Sequence, residues 1–307
     1  MSGQGVARFL MRKKIRRDFT NLDEIILEVN NRMTTFVAWV GVDSRGPASI
    51  YFATDSRITW RVSGTPHHWD MARKTFSSNN SPDIFAYVNH VMFPSMVLGQ
   101  LVNAIDYDGV FECNEPRGNR FQKVVNHIKN SHKLYPSICQ ESFCIFHGAR
   151  EGSGLTSVFE INRIAWNKKT GQWKIDRIEM PNESSAILID GTGKGAVARW
   201  SNRWNSSSQG RTSRSVFSSF CNAIYSGEDH FTSGAAQLVS LYRRDSGKTI
   251  GFVESEKRFI SGMEIFKNLD NPSQMKLEWR NRYFERCDSS GNLISDAKKH
   301  YVPKGLL

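Results

Sequence analysis

The order of elements written into this chain predicts an α+β protein, a four-layer αββα sandwich of two antiparallel sheets. Three observations lead there. Strand-like runs come first, then two helical patterns, then strands, two more helical patterns and a closing hairpin. A sheet buried on one face by a second sheet needs helices over its other face, and two helix pairs supply that cover. The 307 residues, with 39% hydrophobic content, 19 Phe and 8 Trp, are enough for a continuous core and argue against disorder.

The elements follow in order. Phe36–Val42 and Ile50–Thr54 are β-branched and aromatic runs split by the turn cluster Asp43-Ser44-Arg45-Gly46-Pro47. Further strands are expected near Thr59–Val62 and Ile84–Val88. Met96–Ile105 reads as a helix, with Val97, Leu101 and Ile105 at i, i+4 and i+8. A second helix is marked by Phe121, Val124, Val125 and Ile128. Strands return at Phe143–His147, Leu155–Trp166, Trp173–Met180 and Ala186–Ile189. Two helices are expected at Gly195–Trp204 and Val216–Tyr225. A hairpin, Ala235–Arg243 and Thr249–Glu254, turns at Arg244-Asp245-Ser246-Gly247. Three regions result: a basic leader or propeptide over 1–33, a main domain over 34–261 and a polar appendage over 262–307.

Net charge is +11, but it is spread along the chain apart from Arg8–Arg17, where six basic residues cluster. A solvated basic face accounts for such a spread, so nucleic acid is not favoured as a partner. The five cysteines, Cys113, Cys139, Cys144, Cys221 and Cys287, form no CxxC pair and are odd in number. That argues for a reducing compartment, and the expected location is cytoplasmic. No apolar stretch approaches the roughly 20 residues that span a bilayer, and Arg8 breaks the only N-terminal apolar run. No membrane partner is expected.

The chemistry centres on Thr34. A hydroxyl is a weak nucleophile without an adjacent base. An N-terminal Thr carries both, since its own α-amine, with an ordinary pKa near 7.7–8.0, can take the proton. A nearby ammonium keeps that amine neutral, and a carboxylate must hold the ammonium. Such a site calls for Thr, Lys and Asp from separate strands. The chain offers Thr34 at the head of the first strand, Asp55 at the end of the second and Lys74 beyond the next turn.

Those segments, Thr34-Thr35-Phe36-Val37, Thr54-Asp55-Ser56-Arg57-Ile58-Thr59 and Ala72-Arg73-Lys74, resemble the signature of proteasome β-type subunits and their bacterial relative HslV, the N-terminal-nucleophile hydrolases. Two later segments extend the likeness. Asp190-Gly191-Thr192-Gly193-Lys194 is similar to the family's Gly-Ser-Gly-Ser turn. Asp229-His230-Phe231-Thr232-Ser233-Gly234-Ala235 is similar to its Asp-x-x-Ser-Gly-Gly-Ala segment. The likeness runs from Thr34 to Phe252. It departs at Met33, where the family has Gly; this fits Met33 as the true start, removed by an aminopeptidase. The spacings, 21 residues from Thr34 to Asp55 and 19 from Asp55 to Lys74, exceed the family's, and the excess falls in turns.

The resemblance implies a threonine-type endopeptidase that needs no cofactor and cleaves peptides or proteins. Thr34 attacks once residues 1–33 are gone. Lys74, held by Asp55, tunes the amine, and Thr192, Asp229 and Thr232 position it. A backbone N–H near Asn89 or His90 would stabilise the oxyanion. Ile58, Thr59, Ala72 and Val88 would border the substrate groove, giving a first pocket for apolar side chains. A homo-oligomeric ring is implied, with an ATPase partner open. The alternative is a non-catalytic assembly or binding subunit that keeps its leader. Arg57 reads as a structural clasp. His67-His68 with Asp70 suggests a metal, but neighbouring strand residues project to opposite faces, so no metal is expected. Gly191–Gly195 lacks the spacing of a phosphate-binding loop.

Overall fold

The computed structural model describes residues 34–266 and 277–306; the expected leader, with Met33, lies outside the described residues. The protein is α+β, its strands paired antiparallel apart from one short parallel pair, with four α-helices among the described residues. The chain runs β1 (Thr35–Asp43), β2 (Gly46–Thr54), β3 (Ile58–Val62), β4 (Thr65–Trp69), β5 (Thr75–Ser77) and β6 (Asp83–Asn89). Helices α1 (Met92–Asp106) and α2 (Arg117–Leu134) follow, then β7 (Phe143–Glu151), β8 (Val158–Asn167), β9 (Gln172–Ile178) and β10 (Ser185–Gly191). Helices α3 (Lys194–Asn205) and α4 (Ser213–Tyr225) lead to β11 (Gln237–Tyr242), β12 (Lys248–Glu254), β13 (Lys257–Ile260), β14 (Met263–Glu264), β15 (Trp279–Asn281) and β16 (Arg286–Cys287).

One sheet has the order β10-β1-β2-β11-β12-β13-β14 and the other β5-β6-β7-β8-β9, while β3 and β4 form a separate hairpin. Alternation along the strands decides what packs where. Phe36, Ala38, Ile50 and Phe52 from the first sheet meet Ile84, Ala86, Val88 and Phe146 from the second. There the Phe36 and Phe146 rings stack with centroids 4.1 Å apart. The alternate residues Val37, Trp39, Tyr51 and Ala53 pack with Val197, Phe217, Phe220 and Ile224 of α3 and α4. On the second sheet, Phe85, Tyr87 and Ile145 pack with Leu98, Leu101, Val124 and Ile128 of α1 and α2. A capping box between Thr212 and Ser215 starts α4.

The expected elements are all present, with ends shifted by a few residues; α1 and α2 each extend beyond the apolar pattern that marked them. The segment after Gly262, expected to be an appendage, is woven into the first sheet where it is described. β15 pairs with β12 in parallel, Trp279 is buried, and Phe284 joins the core beneath α4.

Candidate active site

The site forms where β1 begins and β2 ends. Antiparallel pairing sets Phe36 opposite Thr54, so the residues before one and after the other share a sheet edge. Asp55 leaves β2 there, and its backbone N–H donates to the Thr35 carbonyl at 3.3 Å.

Lys74 and Asp55 are both fully buried, joined by an Nζ–Oδ1 contact of 2.9 Å. Lys74 Nζ also donates to the Arg57 carbonyl at 2.6 Å. The same Asp55 Oδ1 accepts from the Thr35 amide at 2.8 Å. One carboxylate oxygen therefore ties the lysine to the peptide bond that follows Thr34. Burial pulls the Lys74 ammonium below its ordinary pKa, with Asp55 opposing it. Lys74 is thus an ammonium whose charge is held by one partner, and one that gives up a proton more readily than a surface lysine.

Gln237, the first residue of β11, locks this pair from behind. Its Oε1 accepts from the Lys74 amide at 2.9 Å, while its Nε2 donates to the carbonyls of Asp55 and Ala72 and to Ser56 Oγ. Ser56 Oγ in turn donates to the Ala235 carbonyl at 2.6 Å. The backbones carrying Asp55 and Lys74 are fixed by one side-chain amide.

Thr34 is fully buried and stands at φ 101°. That region is a genuine outlier for a β-branched residue and costs about 1–3 kcal/mol. Its carbonyl accepts from the Thr192 amide at 3.0 Å. Among the described residues its Oγ has no hydrogen-bond partner. Thr54, Thr75, Ser218, Ser240 and Ser289 share this condition, so it does not by itself set Thr34 apart.

Thr35, to which the sequence assigns no role of its own, is the second hydroxyl of the site. Its Oγ lies 2.6 Å from Thr232 Oγ, which donates to Asp229 Oδ2 at 2.6 Å. Gly193 makes room for it: a Cβ there would fall 2.0 Å from Thr35 Oγ. Gly191, at φ 93°, allows the turn to pass over the Thr34 carbonyl.

The remaining expected residues divide. Asp229 and Thr232 reach the site through Thr35. Thr192 contributes its amide, and its side chain is exposed. Ile58 and Ala72 are buried together, with Trp60, Val91 and Phe231 against them. Thr59 is buried and its Oγ lies 2.8 Å from His68 Nδ1. Val88 does not border a groove: it is fully buried in the layer between the sheets. Asn89 ends β6 at φ 73°. The half-buried His90 ring faces Tyr135, and burial holds its imidazole below its ordinary pKa. Arg57 is clasped by Asp70 at 2.7 and 2.8 Å and donates to the His230 carbonyl. The Asp70 carboxylate is thereby committed to Arg57. The adjacent His67 and His68 lie on β4 and, among the described residues, no group of His, Cys, Asp and Glu is arranged to hold a metal ion.

In comparisons with known proteins, no family model matches the chain and no curated sequence matches it.

Proposed function

We propose that this chain is a threonine-type peptidase of the N-terminal-nucleophile kind, resembling a proteasome β subunit, with Thr34 as its nucleophile once residues 1–33 are removed. On this reading the two sheets and their two helix pairs are the four layers of an αββα sandwich. The observation that carries it is the shared Asp55 oxygen, which accepts from Lys74 Nζ and from the amide just after Thr34. A lysine and a carboxylate so buried are costly unless paired, and here the pair is aimed at the backbone of one threonine.

Removal of the leader frees the Thr34 amine. Thr34 Oγ attacks the scissile carbonyl carbon and its proton passes to that amine, which returns it to the departing amine of the substrate. Water then hydrolyses the acyl-enzyme ester and restores Thr34. Lys74 favours the neutral amine by its charge. Thr192 and the Thr35–Thr232–Asp229 chain hold the Thr34 peptide in place. A backbone N–H near Asn89 or His90 would meet the oxyanion.

N-terminal mass determination on purified protein tests the reading directly, with Thr34 expected as the first residue. An epoxyketone or boronate probe should label that protein, and Thr34→Ala should abolish labelling. Labelling that survives Thr34→Ala removes Thr34 from its role. The full burial of Thr34 supports one other reading, a non-catalytic subunit of the same fold. Protein that keeps residues 1–33 and ignores both probes would favour it.

A further inference from the structure

At the far end of the sheets from Thr34 lies a cleft of about 750 Å³ between the α1–α2 connection, the start of α2 and the ends of β6 and β7. Arg150 marks its position. Its guanidinium donates to the Tyr242 carbonyl, and Tyr242 pairs with Ser49 near the start of β2. Thr54, beside the Thr34 site, is five residues further along that strand, about 17 Å at the usual rise.

The floor of the cleft is built from buried cations. Arg120 and Arg150 are 6% and 7% exposed, and both line it together with Ser81. Arg120 is paired with Asp83 and donates to Ser81 Oγ at 2.9 Å and to the Arg150 carbonyl at 2.7 Å. Asp83 also meets His147 Nε2 at 2.7 Å, so its acceptor capacity is shared between partners. Among the described residues Arg120 Nε is buried with no partner. Arg150 donates only to carbonyl oxygens, those of Gly152, Tyr242 and Asp245, and pairs with no carboxylate among the described residues. Asp83 thus serves two buried guanidiniums, with the charges of Asp245 on Arg150 and of Glu115 near Arg120 adding to it without a direct bond.

The rim carries the opposite sign. Glu112, Glu115 and Glu151 line the same cleft, and Glu112 is largely in solvent. Lys123 is shared between Glu115 at 2.9 Å and Glu112 at 4.0 Å, and Glu151 Oε1 accepts from the Arg117 amide at 3.4 Å, so three carboxylates at the rim have one lysine between them among the described residues. A simple anion would satisfy the floor and be repelled at the rim. A simple cation would do the reverse.

We propose that this cleft binds a basic amino acid, free or at the end of a short peptide, with its carboxylate on Arg120 and Arg150 and its cationic side chain toward Glu112 and Glu151. A carboxylate accepts the in-plane donors of guanidinium groups well, and both arginines line the cleft. The inference does not rest on the peptidase reading, because it concerns another end of the molecule and is tested by binding alone.

The test is isothermal titration of the full-length protein with L-arginine. Saturable 1:1 binding is expected. Agmatine, which lacks the carboxylate, and valerate, which lacks the cation, should each bind at least ~10-fold more weakly. Arg150→Gln should weaken L-arginine by a similar factor. Should that variant not fold, Glu112→Gln and Glu151→Gln alter only the rim and should each weaken L-arginine several-fold while sparing valerate. No saturable binding of L-arginine, or agmatine or valerate binding as well as L-arginine, overturns the proposal. So would an affinity unchanged in the rim variants.

Discussion

Lys74 Nζ and Asp55 Oδ1 lie 2.9 Å apart with neither side chain exposed to solvent. A buried ion pair adds little net stability against an apolar replacement, yet breaking one leaves a lone buried charge that costs about 3–5 kcal/mol. Lys74→Met should therefore destabilise the fold by that amount, and Asp55→Leu should do likewise. The double variant should fall well short of the sum, because each single change already destroys the same interaction. Urea unfolding of the four proteins measures this. A Lys74→Met variant within about 1 kcal/mol of the wild type would mean that the pair is not enclosed as described.

Thr35 offers a finer probe, since its hydroxyl connects the start of β1 to Thr232 and, through it, to Asp229. Thr35→Val keeps the shape and deletes the bond, for about 1 kcal/mol. Thr35→Ser restores the hydroxyl and should recover most of the loss. On the peptidase reading, probe labelling of Thr34 should slow in Thr35→Val and return in Thr35→Ser. Gly193→Ala should be harsher, because its Cβ would meet Thr35 Oγ at 2.0 Å; about 1–3 kcal/mol is expected from the clash. Equal labelling rates in all three variants would reduce Thr35 to a packing residue.

How much of this was legible in the sequence varies by residue for physical reasons. Thr34, Asp55 and Lys74 stand at strand ends, where turn chemistry and side-chain type announce a site, and Asp55 and Lys74 do meet. Thr35 was missed because a Thr–Thr pair at a strand start splits between two faces, and one dimension does not say which face holds Asp229. Gln237 carried a readable signal, a lone amide opening an apolar strand, but its four bonds exist only in three dimensions. Val88 was misplaced although alternation from Tyr87 points it between the sheets. The described strands after Gly262 are two or three residues long, too short to show any period.

Asp83 should govern part of the acid stability. Burial alone would raise its pKa, but the His147 hydrogen bond and the charges of His147 and Arg120 overcome that and hold it below the ordinary 3.8. A carboxylate lowered on folding contributes stability that is present above its unfolded pKa and is lost as pH falls through the folded value. Wild-type protein should thus lose stability as pH drops below about 3.8. Asp83→Asn should be weaker near neutrality, with a flatter slope below that point. Parallel unfolding free energies for the two proteins across pH 2–5 would refute this role.

Phe284 tests whether the end of the chain belongs to the core. Its ring lies 5.3 Å from Tyr51, 5.4 Å from Phe217 and 5.8 Å from Trp39, between β1, β2 and α4. A detached tail would make no such contacts, and its loss would be silent. Phe284→Ala opens a cavity among three aromatic rings and should cost about 3–5 kcal/mol. Gly251→Ala probes the same attachment from the other side, since a Cβ there would fall 2.3 Å from the Trp279 ring and push β15 off β12. Both variants should unfold earlier in urea than wild type. Both should also leave the Lys74–Asp55 coupling energy unchanged, because they touch neither residue. A Phe284→Ala variant as stable as wild type would return the segment after Gly262 to the status of an appendage.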